Sequence, residues 1–74
     1  MNIFPNPATH KLYIENLPLN SQWVYNLSDI SGKVILSGVL NADNSIDVSA
    51  LNNGVYLLSV SDGKLTLAKK VLVD

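Results

Sequence analysis

The chain offers few side chains that could perform acid–base or nucleophilic chemistry. It has one histidine, His10, one glutamate, Glu15, and no cysteine, which excludes thiolate catalysis and cysteine-bound zinc. A nucleophile also needs a base and an orienting group, and no strand–nucleophile–helix pattern surrounds His10. Glycoside hydrolysis needs two facing carboxylates, whereas the aspartates fall mostly in turns. The sequence therefore predicts that this protein is not an enzyme.

Side chains that could bind a calcium ion recur at alternate positions in one short segment. These residues are Asn41, Asp43, Ser45 and Asp47. Calcium loops use alternate ligands in this way, with glycine at the sixth position and glutamate at the twelfth. This chain has Ile46 and Asn52 at those positions. We therefore interpret the segment as a turn followed by a strand, and we expect no metal and no other cofactor.

The charge composition restricts the kinds of partner. The chain has five lysines, six acidic residues and no arginine, which give a net charge of −1. Nucleic-acid binders usually present an arginine-rich basic face, and Lys69 and Lys70 form too short a run for a polybasic membrane patch. No apolar run approaches the roughly 20 residues of a membrane-spanning helix. We expect no nucleic acid, no small-molecule substrate and no insertion into a membrane.

Apolar and polar residues alternate along most of the chain, which is typical of β-strands. The strand-like runs cover residues 11–15, 23–28, 34–36, 45–49, 55–60, 65–68 and 71–73. The last run is either a separate strand or the continuation of residues 65–68. Gly32 and the Asp62-Gly63 pair mark hairpin turns, and no sustained helical period occurs. The pattern predicts an all-β fold, a small antiparallel immunoglobulin-like β-sandwich of about seven short strands. With 74 residues, 47% of them hydrophobic, residues 1–74 are expected to form a single domain.

Trp23 and Tyr25 are the aromatic residues that could form a sugar-stacking platform. Alternation places both on the same face as Leu27, which favours the core of the sandwich over an exposed binding surface. A non-catalytic accessory module, either carbohydrate-binding or a fibronectin-like spacer, stays open as an alternative function. That alternative predicts exposed, coplanar aromatic rings.

A tyrosine stands at the start of the most apolar run, just after a corner that contains glycine. In immunoglobulin-like sandwiches, a tyrosine at such a corner bonds the upstream backbone through its hydroxyl. We interpret Leu51, Gly54 and Tyr56 as a structural corner of this kind.

Four sequence blocks, in order along essentially the whole chain, resemble a known family. They are residues 4–9 with 12–14, residues 26–34, residues 46–49 with Leu51 and 54–58, and Gly63 with residues 69–71. In these blocks the chain is similar to the C-terminal sorting domain, type A form, of type IX secretion substrates of Bacteroidetes. It departs from the family at Ser28, where an aromatic residue is frequent, and in having lysine in place of arginine throughout.

The resemblance implies a transport function. Such a domain would stand at the C-terminus of a secreted cargo protein, and the proline-punctuated start fits a domain excised from a larger chain. The cargo would pass through the periplasm, and the type IX translocon with its outer-membrane shuttle would recognise the domain. A sortase-like peptidase would then remove it at the cell surface, leaving the cargo anchored or released. The edge strands of the sandwich would also permit a homodimer.

The resemblance also implies recognition residues within the shared blocks. They are Pro5, Asn6, Pro7, Gly32, Lys33, Lys69 and Lys70. The prolines would fix an extended leading segment, because proline restricts both itself and the residue before it. Gly32 and Lys33 would form an exposed turn. The two terminal lysines would dock with the last strand, by strand addition to the sheet of a partner.

Overall fold

The computed structural model describes residues 2–5, 9–17 and 22–74, which form two antiparallel β-sheets. In chain order the strands are β1 (Asn2–Phe4), β2 (Lys11–Glu15), β3 (Val24–Asp29), β4 (Val34–Val39), β5 (Ser45–Asp47), β6 (Gly54–Ser61) and β7 (Thr66–Val73). One sheet has the order β1–β2–β5 and the other the order β4–β3–β6–β7. All neighbouring strands are antiparallel, and no helix occurs in the described part of the chain. The predicted all-β sandwich is confirmed.

Apolar side chains from both sheets meet in one core. Leu12 and Ile46 reach it from the three-stranded sheet, and Leu27, Leu58 and Val71 reach it from the four-stranded sheet. All five are at most 1% exposed. Because successive strand residues point to opposite faces of a sheet, the alternation seen in the sequence becomes an inner and an outer face of each sheet.

The aromatic residues at the start of β3 pack inward. Trp23 is buried, and Tyr25 is half-buried against the core, opposite Gly38 of β4. A Cβ at Gly38 would lie 3.6 Å from the Tyr25 ring, so the ring covers the β4 backbone at that point. The prediction that these aromatic residues belong to the core is confirmed for Trp23, whereas Tyr25 packs against the core and is only half-buried.

The strand bounds differ from the sequence prediction by one or two residues at β3, β5 and β6, and by more at β1, β4 and β7. The sequence predicts no strand at β1, whose three residues pair with β2 and are too few to show a period. β7 is a single strand, so residues 71–73 continue the run 65–68, which is one of the two possibilities that the sequence leaves open. Lys69 and Lys70 interrupt the apolar pattern without interrupting the ladder to β6. β4 continues past Gly38 to Val39, which lies opposite Val24 of β3.

Three turns are held by the same Asp-x-Ser arrangement. In each, Oδ1 of the aspartate accepts hydrogen bonds from the backbone N–H and the hydroxyl of the serine two residues later. The pairs are Asp29–Ser31 (2.9 and 2.6 Å), Asp43–Ser45 (3.1 and 2.6 Å) and Asp47–Ser49 (2.9 and 2.7 Å). Such local bonding competes with a strand ladder, which explains why β5 ends at Asp47 although the alternation continues to residue 49.

We expect the domain to lose stability in acid because the aspartates of these three Asp-x-Ser turns become protonated. The pKa of the carboxyl of Asp29, Asp43 and Asp47 lies below its ordinary value of 3.8, chiefly because the serine hydroxyl donates to the charged form. The unfolded chain therefore takes up protons at a higher pH than the folded chain. The stabilisation is complete above pH 3.8 and is lost as the pH falls through the lower folded-state values.

Urea unfolding at a series of pH values measures this effect. The midpoint should stay nearly constant from about pH 7 to about pH 5 and should fall below about pH 4. Variants Ser31→Ala and Ser49→Ala should reduce the acid-induced fall, since the hydroxyl that lowers the pKa is gone. A midpoint that does not fall in acid, or that falls equally in the serine variants, would contradict this account.

Candidate recognition surface

The tyrosine near the start of β6 secures the crossover from the three-stranded to the four-stranded sheet. Its hydroxyl, on Tyr56, donates a 2.7 Å hydrogen bond to the backbone carbonyl of Asn52, which is the geometry of a tyrosine corner. Leu51 is half-buried against the core, and its N–H donates to the carbonyl of Val48. Gly54 has no positive φ, and a Cβ there would make only an ordinary 3.8 Å contact with the Tyr56 ring. The Tyr56 hydroxyl and the Leu51 N–H thus both bond carbonyls of the segment before β6, and the backbone conformation does not require glycine at position 54.

Beside this corner, the outer face of the four-stranded sheet carries a shallow groove of about 330 Å³. We name it the outer groove, and its lining residues are Ser28, Asp29, Ile30, Gly32, Val55, Tyr56, Leu57 and Lys70. The strand register explains why these residues meet, since Leu57 of β6 lies between Ser28 of β3 and Lys70 of β7. The groove is thus built by the β3–β4 turn, the first half of β6 and the middle of β7.

The β3–β4 turn that forms one wall of the groove is tightly fixed. The Asp29 carboxylate accepts a 3.0 Å hydrogen bond from the Lys33 N–H in addition to the two from Ser31. Gly32 has a φ of 93°, in the region that glycine adopts without a steric penalty. Gly32 lines the groove, whereas Lys33 is exposed in the same turn and does not.

The two terminal lysines point to opposite faces of β7. Lys69 lies opposite Leu58, whose side chain is in the core, and Lys70 lies opposite Leu57, whose side chain is on the outer face. β7 is the edge strand of its sheet, so Lys69 reaches solvent although it is on the core side. A charged residue in that position opposes association between sheet edges. The structure therefore brings Lys70, but not Lys69, together with Gly32 in the outer groove.

Pro5 lies next to the other sheet. Pro5 is exposed directly after β1, which pairs with β2 in the three-stranded sheet. Asn6 and Pro7 lie outside the described residues. The sequence-predicted recognition residues thus occupy more than one place on the sandwich.

One family model matches essentially the whole chain. Its description is secretion system C-terminal sorting domain, and the match covers residues 2–74. The chain belongs to this family. It is a C-terminal secretion signal of type IX substrates, as its sequence resemblance indicates, and this sorting domain marks a secreted or cell-surface protein. A search of curated proteins found no matching relative.

Two polar side chains of the sorting domain that could do chemistry are engaged in local bonds. Nδ1 of His10 lies 3.1 Å from the Thr9 hydroxyl, and the Asn41 amide donates to the carbonyl of Ser45 at 3.0 Å. Within residues 2–5, 9–17 and 22–74, no group of three or more metal-binding side chains lies together, and no helix is long and apolar enough to cross a membrane. The family is a sorting signal and is not known as a catalytic domain.

The apolar part of the outer groove was not identified from the sequence of the sorting domain. Ile30, Val55 and Leu57 are all exposed, and Ile30 is 85% exposed. The sequence does indicate exposure of some apolar residues near Val55 and Leu57, because residues 55–58 are all apolar. In an antiparallel sandwich only one face of a strand is covered, so an unbroken apolar run must place part of its side chains outside.

Proposed function

We propose that this sorting domain acts as a folded docking module for the type IX translocon, which carries the attached cargo across the outer membrane. The proposal is based on the family match over residues 2–74. The sandwich, closed around one core, supports it, because a docking signal needs a fixed surface more than a reactive site. In this proposal residues 1–74 are one domain of a larger secreted protein, and the domain catalyses no reaction.

The proposed route has three stages. The cargo enters the periplasm through the general export pathway, and the sorting domain folds there before the translocon recognises it. The translocon and its outer-membrane shuttle then bind the domain, and a sortase-like peptidase removes it at the cell surface. The cargo stays at the surface or is released into the medium. The Asp-x-Ser turns and the tyrosine corner support a folded intermediate on this route, since they fix the loops and the crossover without any disulfide.

Docking by strand addition would use the β7 edge. Edge strands accept further strands from a partner, and β7 carries Lys69 and Lys70 at its centre. Antiparallel pairing of β7 with itself in a second copy would bring these lysines together, and like charges opposite one another destabilise a sheet. The proposal is therefore that β7 takes a strand of the translocon, and that a homodimer uses the other edge strand of this sheet, β4, which contains no charged residue.

The leading segment and the β3–β4 turn complete the proposed recognition residues. Pro5, Asn6 and Pro7 would form one part of the recognition surface, and Gly32 with Lys33 would present the turn. An accessory carbohydrate-binding role has no comparable support. Trp23 is buried, and Phe4 and Tyr13 stack on each other with ring centroids 5.7 Å apart, so these rings do not lie side by side as a coplanar platform.

Fusion of the chain to a signal-peptide-bearing fluorescent reporter tests this route in a Bacteroidetes host. Three strains are compared: one with a working type IX translocon, one without the translocon and one without the sortase-like peptidase. We expect the reporter outside the cell only in the first strain, with a mass that shows loss of the domain, and we expect the domain to be retained in the third. Cleavage that continues without the peptidase would contradict the last stage, and a reporter lacking the domain is the control.

A further inference from the structure

We propose that the outer groove binds an apolar, acidic segment of a partner protein. One aliphatic side chain of the partner is seated between Ile30, Val55 and Leu57, and a neighbouring carboxylate pairs with Lys70. The proposal rests on the proposed function, because the partner is a component that meets the folded sorting domain during export.

The apolar side of the groove has no cover in the described structure. Ile30 is 85% exposed, Leu57 49% and Val55 39%. Apolar side chains that cluster at a concavity, instead of being scattered singly, are characteristic of binding surfaces. A volume of about 330 Å³ is at the lower end for a ligand cleft, which suits one or two aliphatic side chains of a docked segment better than a bulky ligand.

The groove is held in shape before a partner arrives. Ile30 sits between Asp29 and Ser31, and the three hydrogen bonds to the Asp29 carboxylate fix the turn on both sides of it. The opposite wall is the central part of the β6–β7 ladder. Little ordering is therefore needed on binding, and pre-organised surfaces lose less affinity to ordering.

The positive charge of Lys70 in the groove favours an acidic partner. Asp29 also lines the groove, and its Oδ1 accepts three hydrogen bonds from the turn, which offset part of its negative charge. Lys70 projects from the same outer face, and no ion pair joins it to any residue that the structure describes. A cation beside apolar side chains attracts a carboxylate more strongly than it would in open water. The groove therefore fits a segment that places an acidic residue next to an aliphatic one.

Two other occupants fit the groove less well. A second copy would have to place a carboxylate beside an exposed aliphatic side chain. The carboxylates of its turns already accept hydrogen bonds within those turns, and the aliphatic neighbours of Glu15 and Asp74, which are Ile14 and Val73, are buried. An anionic lipid surface needs a cluster of cations, whereas Lys70 is the one cation that lines the groove. A protein segment is the occupant that the charge and shape favour.

Two substitutions in the reporter fusion test the proposal: one reverses the charge of Lys70, and the other replaces the aliphatic side chain of Ile30 with a polar one. Lys70→Glu should lower the exported fraction at least about tenfold, because it places two negative charges against each other. Ile30→Ser should lower it about fivefold through lost apolar contact. The matched controls are Lys64→Glu and Leu65→Ser, which lie in the β6–β7 turn at the opposite end of that hairpin and should export like the wild type. Circular dichroism of each purified chain verifies that it folds.

A photo-activatable cross-linker at Ile30 identifies the occupant directly. In the competent host we expect it to capture a protein segment that contains aspartate or glutamate, and replacement of that acidic residue by lysine should restore export of Lys70→Glu. Capture of lipopolysaccharide alone, no capture, or wild-type export by both folded variants would overturn the proposal while the proposed function stands. Failure of the wild-type fusion to leave the competent host would overturn the proposed function itself.

Discussion

Leu58→Ala is expected to unfold a large fraction of the domain at physiological temperature. Leu58 is 0% exposed in the middle of β6, between β3 and β7. Truncation of a buried leucine to alanine costs about 2–5 kcal/mol, and a core in a chain of this size supplies roughly 3–5 kcal/mol. Urea unfolding followed by circular dichroism and by Trp23 fluorescence measures the loss. The free energy of unfolding should fall by about half or more.

The adjacent residue provides a matched control for this loss. Leu57 is on the same strand but points to the outer face and is 49% exposed, so Leu57→Ala leaves no buried cavity. It should change the free energy of unfolding by less than about 1 kcal/mol. Equal losses in the two variants would mean that β6 does not have the inner and outer faces described here.

Removal of the Tyr56 side chain is expected to have the second large effect. Tyr56 is buried, and its hydroxyl secures the crossover between the sheets. Tyr56→Ala should cost about 3–5 kcal/mol, as for other large buried aromatic side chains. Tyr56→Phe keeps the ring and removes only the hydrogen bond to Asn52, so it should cost about 0.5–1.5 kcal/mol. Both values come from the same urea unfolding measurement.

Tyr13→Phe is the control for the hydroxyl effect. Tyr13 is half-buried and stacks on Phe4, and its hydroxyl makes no hydrogen bond to the described residues. The free energy of unfolding of this variant should lie within about 0.5 kcal/mol of the wild type. A Tyr56→Phe variant as stable as Tyr13→Phe would show that the corner bond does not hold the crossover.

The fold could be predicted from local sequence patterns, because the strands and turns that these patterns predict are present in the structure. Leu12 and Ile14 alternate with polar neighbours, and both are buried. Gly32 marks a turn in which a positive φ is required, and it has one. Strand period and turn chemistry depend on residues close together in the sequence, so they can be interpreted without knowledge of tertiary contacts.

The outer groove could not be predicted in the same way. Ile30 is a turn residue, and its contribution to a groove depends on where β6 and β7 lie beside the β3–β4 turn. Lys69 and Lys70 look like one basic pair in the sequence, yet the register to β6 places them on opposite faces. Because both features arise from pairing between distant segments, they require the three-dimensional structure.

The central claim is that this folded sandwich is a signal for type IX export. The most direct measurement is the fraction of a fluorescent reporter found outside the cell when the chain is fused to it, compared between hosts with and without the translocon. We predict export of the wild-type fusion in the competent host alone, and retention of the Leu58→Ala fusion in both. Retention of the wild-type fusion in both hosts, while another sorting domain exports the same reporter, would contradict the claim.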